Sequence, residues 1–221
     1  MATKKTLTTA PRLDRIRLPE LSDADVDAFE SHTAYDALRI SGADLDGLDL
    51  SGTTFAECAF EDVSAHEADL RSATFLDTTI ERLNAPILTA ARSRLRDVGI
   101  DSSRIGSAEF YDAGWQSVRF TNCKLGFVNL RGAHLQDVQF TDCTIDELDL
   151  GGVKATRVAF SGTRINTLDV TRAEFSHVDL RAVELRHIVG LDGLRGATLT
   201  PDQVAELATL FAERLGITVE S

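Results

Sequence analysis

LRI SGADL DGLDL SGTTF AECAF EDVSA HEADL RSATF, residues 38–75, is the stretch whose reading decides the fold. Set out in fives, it ends every group on an apolar residue, and the habit persists far beyond it. Each position numbered by a multiple of five from Ile40 to Leu185 is apolar, among them Leu45, Phe60, Ile100, Trp115, Phe140 and Phe160. Two places before these centres stands a second set, mostly small or β-branched: Ala43, Thr53, Cys58, Val63, Val118, Cys123, Val138 and Cys143. A period of five matches neither the 3.6 of a helix nor the 2 of a strand. A short period kept this long marks a solenoid, in which each unit buries its face only by stacking on its neighbours.

Three segments carry a family resemblance: Gly42-Ala43-Asp44-Leu45-Asp46-Gly47, Glu67-Ala68-Asp69-Leu70-Arg71-Ser72 and Arg131-Gly132-Ala133-His134-Leu135-Gln136. They resemble the A(D/N)Lxx units of the pentapeptide-repeat family, and the register holds over roughly two thirds of the chain. The resemblance implies an all-β solenoid, a right-handed quadrilateral β-helix with four pentads and twenty residues per coil, followed by a C-terminal α-helix. In such a coil the centre and the residue two before it point inward. Residues twenty apart then stack in columns, such as Ile40, Phe60, Ile80, Ile100, Phe120, Phe140, Phe160 and Leu180, or Val98, Val118, Val138, Val158 and Val178. At about 4.8 Å per coil, seven and a half coils give a rod of roughly 36 Å.

The expected organisation is an N-terminal extension and cap over 1–37, the β-helix over 38–199, and a capping or dimerisation helix with a tail over 200–221. Residues 1–12 are polar and threonine-rich, which predicts disorder. Ser22 is placed to cap a short helix that covers the first coil. Around Ala85, Pro86, Ala90 and Ser93 the inward residues are small and a proline enters, so this coil is expected to be the weak one. After Leu185 the register slips. Thr200-Pro201-Asp202-Gln203 then has the form of a capping box with proline at the first helical position. Val204, Leu207, Ala208, Phe211 and Leu215 follow at helical spacing, and Gly216 fits the stop. The resemblance implies that this helix joins two copies in a homodimer; a cap on the last coil is the plainer alternative.

The chain carries 23 basic and 35 acidic side chains, for a net charge of −12. That balance opposes direct nucleic-acid binding and suits a basic partner, or solubility alone. No apolar run is long enough for a membrane helix, and Met1-Ala2-Thr3-Lys4-Lys5 lacks a signal core, so the sequence reads as cytoplasmic. Cys58, Cys123 and Cys143 all occupy inward positions. The last two stand one coil apart, close enough for a disulfide, but a reducing compartment favours two buried thiols.

No nucleophile elbow, phosphate loop or zinc-ligand spacing is present, and His32, His66, His134, His177 and His187 share no metal spacing. The sequence therefore reads as non-enzymatic, with no cofactor and no metal. The informative pattern is charge sorted by edge. On the edge following Leu45, Ala65, Ala85, Ile105, Leu125, Ile145 and Ile165 fall Asp46, Asp49, Glu67, Asp69, Glu109, Asp146, Glu147, Asp149 and Asp169, with no Lys or Arg. Ile87 and Phe127 interrupt it as candidate apolar anchors within an acidic rim. The next edge holds Arg71, Arg92, Arg94, Arg131, Lys154 and Arg172 against Asp112 and Glu174.

A one-sign edge on a rod as thick as a duplex imitates a phosphate strand. The resemblance implies a DNA-mimicking binder and modulator of DNA gyrase or a related type II topoisomerase, with protection from quinolones or gyrase-directed toxins. The alternative is a non-enzymatic interaction scaffold with another partner. For the acidic edge itself, the bland reading is solubility and blunting of side-to-side aggregation.

Overall fold

The computed structural model describes residues 8–220 and is a right-handed parallel β-solenoid closed by a short C-terminal helix. The pairing offset is twenty from Ala34↔Thr54 onward. It is kept through Trp115↔Leu135 and Ile165↔Leu185. Two parallel sheets wrap the rod. In the broader one, eight-residue strands such as Arg94–Asp101, Gly114–Thr121, His134–Thr141 and Lys154–Ser161 lie rung on rung. The narrower one is built from Ala68–Asp69, Asn84–Thr89, Arg104–Glu109, Lys124–Asn129, Thr144–Asp149, Thr163–Asp169 and Val183–Val189.

The inward columns form as the fives require. Phe120, Phe140 and Phe160 stack with centroids 4.9 and 5.1 Å apart and ring planes within 10° and 8°. Tyr35, Phe55 and Phe75 form a second stack nearer the N-terminus. The valine ladder from Val98 to Val178 is fully buried. Most hydroxyls and thiols at the inward position two before the centre satisfy themselves locally; Ser93 Oγ, buried in the coil after Pro86, finds no partner among the described residues. Thr78 Oγ1 donates to the Leu76 carbonyl at 2.8 Å, Ser103 Oγ to Asp101 at 2.8 Å, and Cys123 Sγ to Thr121 at 3.2 Å. Each reaches the carbonyl two residues back, so a small donor can be buried there without an unpaired polar group. All three cysteines are free thiols, and burial pushes the Cys58 thiol up.

The corners change character along the rod. Up to Asp77, and on three corners of each coil from there to His177, the second residue after the centre has a left-handed φ, as at Gly47 (68°), Glu67 (58°) and Asp112 (57°). Residues 87, 107, 127, 147 and 167 have no such φ, and there the narrow sheet runs straight through the corner. The switch occurs at Pro86, where Glu67 N–H donates to the Ile87 carbonyl at 2.9 Å. The pairing steps from Ala85↔Ile105 to Ile87↔Ser107, so Pro86 stands where the ladder is already interrupted. On the N-terminal side of this coil lies an apolar cavity of about 40 Å³, bordered by Leu45, Phe60, Ala65, Ala68 and Leu88.

Both ends depart from expectation in detail. Ser22 caps no helix: Ser22–Asp23 is a strand paired with Leu38 and Arg39. The helix is a single 3-10 turn, Val26–Ala28, capped by Asp25, whose carboxylate accepts the Asp27 N–H. Ala24, Val26 and Phe29 pack on the core and cover the first coil. The expected disorder of 1–12 falls partly on residues 1–7, outside the described ones; residues 8–12 are ordered against the rod.

That N-terminal arm lies extended along the rod axis. Thr9 N–H donates to His177 Nδ1 at 3.3 Å, Arg12 N–H to Asp137 Oδ1 at 2.8 Å, and Asp14 N–H to Ser117 Oγ at 3.0 Å. Arg119 donates to the Asp14 carbonyl. Composition hid this arm because its partners lie more than a hundred residues away.

At the other end the offset falls to nineteen at Val178↔Ala197, behind the 3-10 turn Leu191–Leu194. The capping box is complete, with Thr200 N–H to Gln203 Oε1 at 2.8 Å and Gln203 N–H to Thr200 Oγ1 at 3.1 Å. The helix breaks at Leu207 into α1, Pro201–Glu206, and α2, Ala208–Arg214. Gln203 Nε2 also donates to the carbonyls of Leu180 and Val183, pinning the helix start to the last coil.

Candidate functional site

The twenty-residue offset brings the acidic edge together as a ridge along the narrow sheet. Position by position, Ile87, Ser107, Phe127, Glu147, Thr167 and His187 form one column, and Glu109, Asn129, Asp149 and Asp169 another. Asp46, Asp49, Glu67, Asp146 and Glu147 are exposed, Asp69, Glu109 and Asp169 are half-buried, and Asp149 is buried. Ile87 is 42% exposed, whereas Phe127 is half-buried and offers less to a partner.

Alignment does not make the nine acids equivalent. Asp49, Asp69, Asp149 and Asp169 each accept, through Oδ1, the backbone N–H two residues on, at Ser51, Arg71, Gly151 and Thr171. These are Asx turns that shape the corner, so part of the acidic edge is a requirement of the coil. Asn129, in the same column, does the same for Arg131 at 3.1 Å without a charge. The recurring D/N immediately before the centre was the visible signal for this role.

Arginines of the neighbouring basic edge also reach across. Arg131 Nε lies 2.6 Å from Asp149 Oδ2 and its Nη2 2.9 Å from Asp169 Oδ2, while Arg71 pairs with Asp69. The Arg71 guanidinium holds Asp69 below the usual carboxylate range. Counting residues by edge missed these contacts, because a side chain as long as arginine spans two corners. Beyond Asp169 the ridge ends in Arg186 and His187.

The remaining acids, Asp46, Glu67, Glu109, Asp146 and Glu147, have no arginine or lysine partner among the described residues. Asp46 accepts from Ser64 Oγ at 2.5 Å and His66 N–H at 2.6 Å, which lower its pKa and keep it ionised. Glu109 and Asp146 accept from the side-chain amides of Asn129 (2.6 Å) and Asn166 (3.0 Å) one coil on.

The residues expected to form a dimer face on the C-terminal helix divide between two surroundings. Phe211 packs on the core and Leu207 is half-buried, while Val204 (45%), Ala208 and Leu215 (76%) face outward. Ile217 and Val219 extend that exposed apolar surface. Among the described residues no group of His, Cys, Asp and Glu could hold a metal, and no helix is long and apolar enough to cross a membrane.

Corners built on Asx turns, two inward residues per five and an offset of twenty define a class of solenoid, and sequence comparison assigns it. The model of "Pentapeptide repeats (8 copies)" matches residues 39–75, and that of "Pentapeptide repeat region" matches 93–169 and 113–189. The chain belongs to the pentapeptide-repeat family. No curated protein sequence matches it significantly.

Among solved structures it is similar to full-length QnrB1, a plasmid-mediated fluoroquinolone resistance protein (23% identity, 88% of this chain and 95% of that one, TM-score 0.32). A trypsin-treated form of QnrB1 matches at 23% identity over 90% and 96% of the two chains, with TM-score 0.37. HetL, a pentapeptide repeat protein involved in heterocyst differentiation regulation from the cyanobacterium Nostoc sp. strain PCC 7120, matches at 16% identity over 76% and 87%, with TM-score 0.34.

Proposed function

We propose that the protein is a non-enzymatic binder whose acidic ridge occupies the basic DNA-binding surface of DNA gyrase or a related type II topoisomerase. The observation that carries the reading is the ridge itself. Asp46 and Asp146 stand five coils apart, about 24 Å at about 4.8 Å per coil. Six acids in that interval have no arginine partner among the described residues: Asp46, Asp49, Glu67, Glu109, Asp146 and Glu147. They average one charge per about 4 Å, against about 3.4 Å for one strand of duplex DNA. Ile87 lies among them as an exposed apolar contact. QnrB1, described as a fluoroquinolone resistance protein, makes quinolone protection the effect to look for, and the exposed face of the C-terminal helix supports a homodimer.

The Asx-turn role of Asp49, Asp69, Asp149 and Asp169 favours a second reading, a scaffold for another partner in which part of the ridge only builds corners. The experiment that separates the two is gyrase supercoiling, with and without a quinolone. It compares the wild type with a variant carrying Asp46→Asn, Glu67→Gln, Asp146→Asn and Glu147→Gln, none of which is a turn acceptor. Wild type at micromolar concentration should alter supercoiling or its quinolone sensitivity, and the variant should do so at least tenfold more weakly and with a shallower salt dependence. A wild type without effect on any type II topoisomerase, or a variant equal to it, overturns the reading.

A further inference from the structure

On the flank of the rod between the basic edge and the N-terminal arm, the broad sheet carries an open groove of about 560 Å³ that the acidic ridge does not touch. Its cations are Arg94, Arg96 and Lys154, with the His134 imidazole among them, and no carboxylate lines it among the described residues. Arg96 has only a long approach to Asp97 at 3.7 Å, and Glu174, the rung partner of Lys154, stands beyond the far end. Arg94 and Lys154 have no acidic partner within 4 Å among the described residues. Gln116 and Gln136 face the solvent beside them and add hydrogen-bonding groups.

The floor of the groove is a dent at Gly114, in the column that runs Arg94, Gly114, His134, Lys154. Neither backbone nor packing demands glycine here. Its φ is not left-handed, and a Cβ would meet nothing within 4 Å. A gap of this kind, ringed by unneutralised cations, suits an anionic ligand.

The shape selects the ligand. The cations are strung along the rod axis, with Arg94 and Arg96 on one rung and Lys154 three rungs on, about 14 Å away at about 4.8 Å per rung. In an extended peptide, carboxylates at alternate positions recur every 6.6–6.8 Å or so, so three of them span nearly the same distance. The chain itself shows that a peptide can lie this way. In the adjoining lane its own arm goes from the rung of His177 (Thr9) to that of Asp137 (Arg12), two rungs in three residues, and donates backbone N–H groups to rod side chains. Nucleic acid is the poorer fit, because Trp115 is buried and offers no stacking face, and the net charge of −12 repels a long polyanion.

We propose that this groove is a second interaction site, independent of the ridge, which takes an extended acidic peptide segment of a partner protein. The test is fluorescence anisotropy at low salt with a labelled octapeptide of alternating Glu and Ser. Comparison probes are its block isomer, four Glu followed by four Ser, and an eight-nucleotide oligothymidylate. The alternating peptide should bind saturably and at least fivefold more tightly than the block isomer. Gly114→Gln, which fills the dent without changing charge, and the triple Arg94→Ser, Arg96→Ser, Lys154→Ser should each weaken it at least tenfold. Both variants alter only surface positions, and an unchanged circular dichroism spectrum and melting temperature would separate lost binding from lost fold. Absence of saturable binding, equal affinity for the two isomers, indifference to both variants, or tighter binding of the oligonucleotide overturns the proposal.

Discussion

Phe140 is a residue whose loss the coil can hardly absorb. It lies between Phe120 and Phe160, at centroid distances of 4.9 and 5.1 Å, and is 1% exposed. Nearly parallel rings in contact at about 3.5 Å must slip sideways by roughly 3.4 Å to reach a centroid distance near the coil rise, which is the offset stack that aromatic pairs prefer. Replacing Phe140 by alanine removes both stacks and leaves a hole of roughly 100 Å³, worth about 2.4 kcal/mol at about 24 cal/mol per Å³. The lost transfer of the ring adds about 2–3 kcal/mol. The coils cannot close the hole, because ladders on both sides fix the rungs at an offset of twenty. Phe140→Ala should therefore lower stability by about 4–5 kcal/mol. Urea unfolding followed by fluorescence reads it directly, since the single tryptophan, Trp115, lies 5.4 Å from the Phe120 ring. A loss below about 2 kcal/mol would show that the stack relaxes around the hole and would refute the rigid-rung reasoning.

Three further outcomes are expected. Arg131→Ser frees Asp149 and Asp169, so the gyrase binding proposed for the ridge should tighten and become more salt-dependent; weaker binding with an intact fold would count against a ridge that acts by its charge. Burial opposes ionisation of Asp137, but the Arg157 guanidinium and the Arg12 N–H outweigh it and hold its pKa low. Its contribution to holding the arm is thus complete above the ordinary carboxylate pKa of about 3.9 and is lost as pH falls toward the lower folded value. Amide exchange at Arg12 and Asp14 should then outpace that of the rod in acid, and Asp137→Asn should remove the pH dependence. Finally, exchange within the rod should be fastest in the coils between Leu45 and Leu88, where the cavity and the change of corner coincide, and uniform protection along the rod would contradict this.

The multiples of five made the coil legible, because an inward-facing centre must be apolar in every rung whatever its neighbours are. The corner switch at Pro86 was only half legible: proline marked the place, but the extended corners at 107, 127, 147 and 167 follow from no single residue type. The ridge was legible as a column and not as a charge. Asp49 and Asp149 look identical in a table of edges, yet one is exposed and the other is buried beneath Arg131. Side-chain reach, which period alone does not encode, made the difference. The arm was invisible for another reason: Thr9 and Arg12 have ordinary polar composition, and only their distant partners give them a place.

Those partners also impose an order of events. A ribosome releases Thr9 and Arg12 first, but Asp137 and His177 emerge more than a hundred residues later, when most of the tower already stands. Rungs can be added one on another as they appear, through neighbours twenty residues apart, whereas the arm closes across the longest separations in the chain. Thr9 and Arg12, though made early, are thus among the last residues to settle, and their docking certifies that the storeys beneath them have been laid.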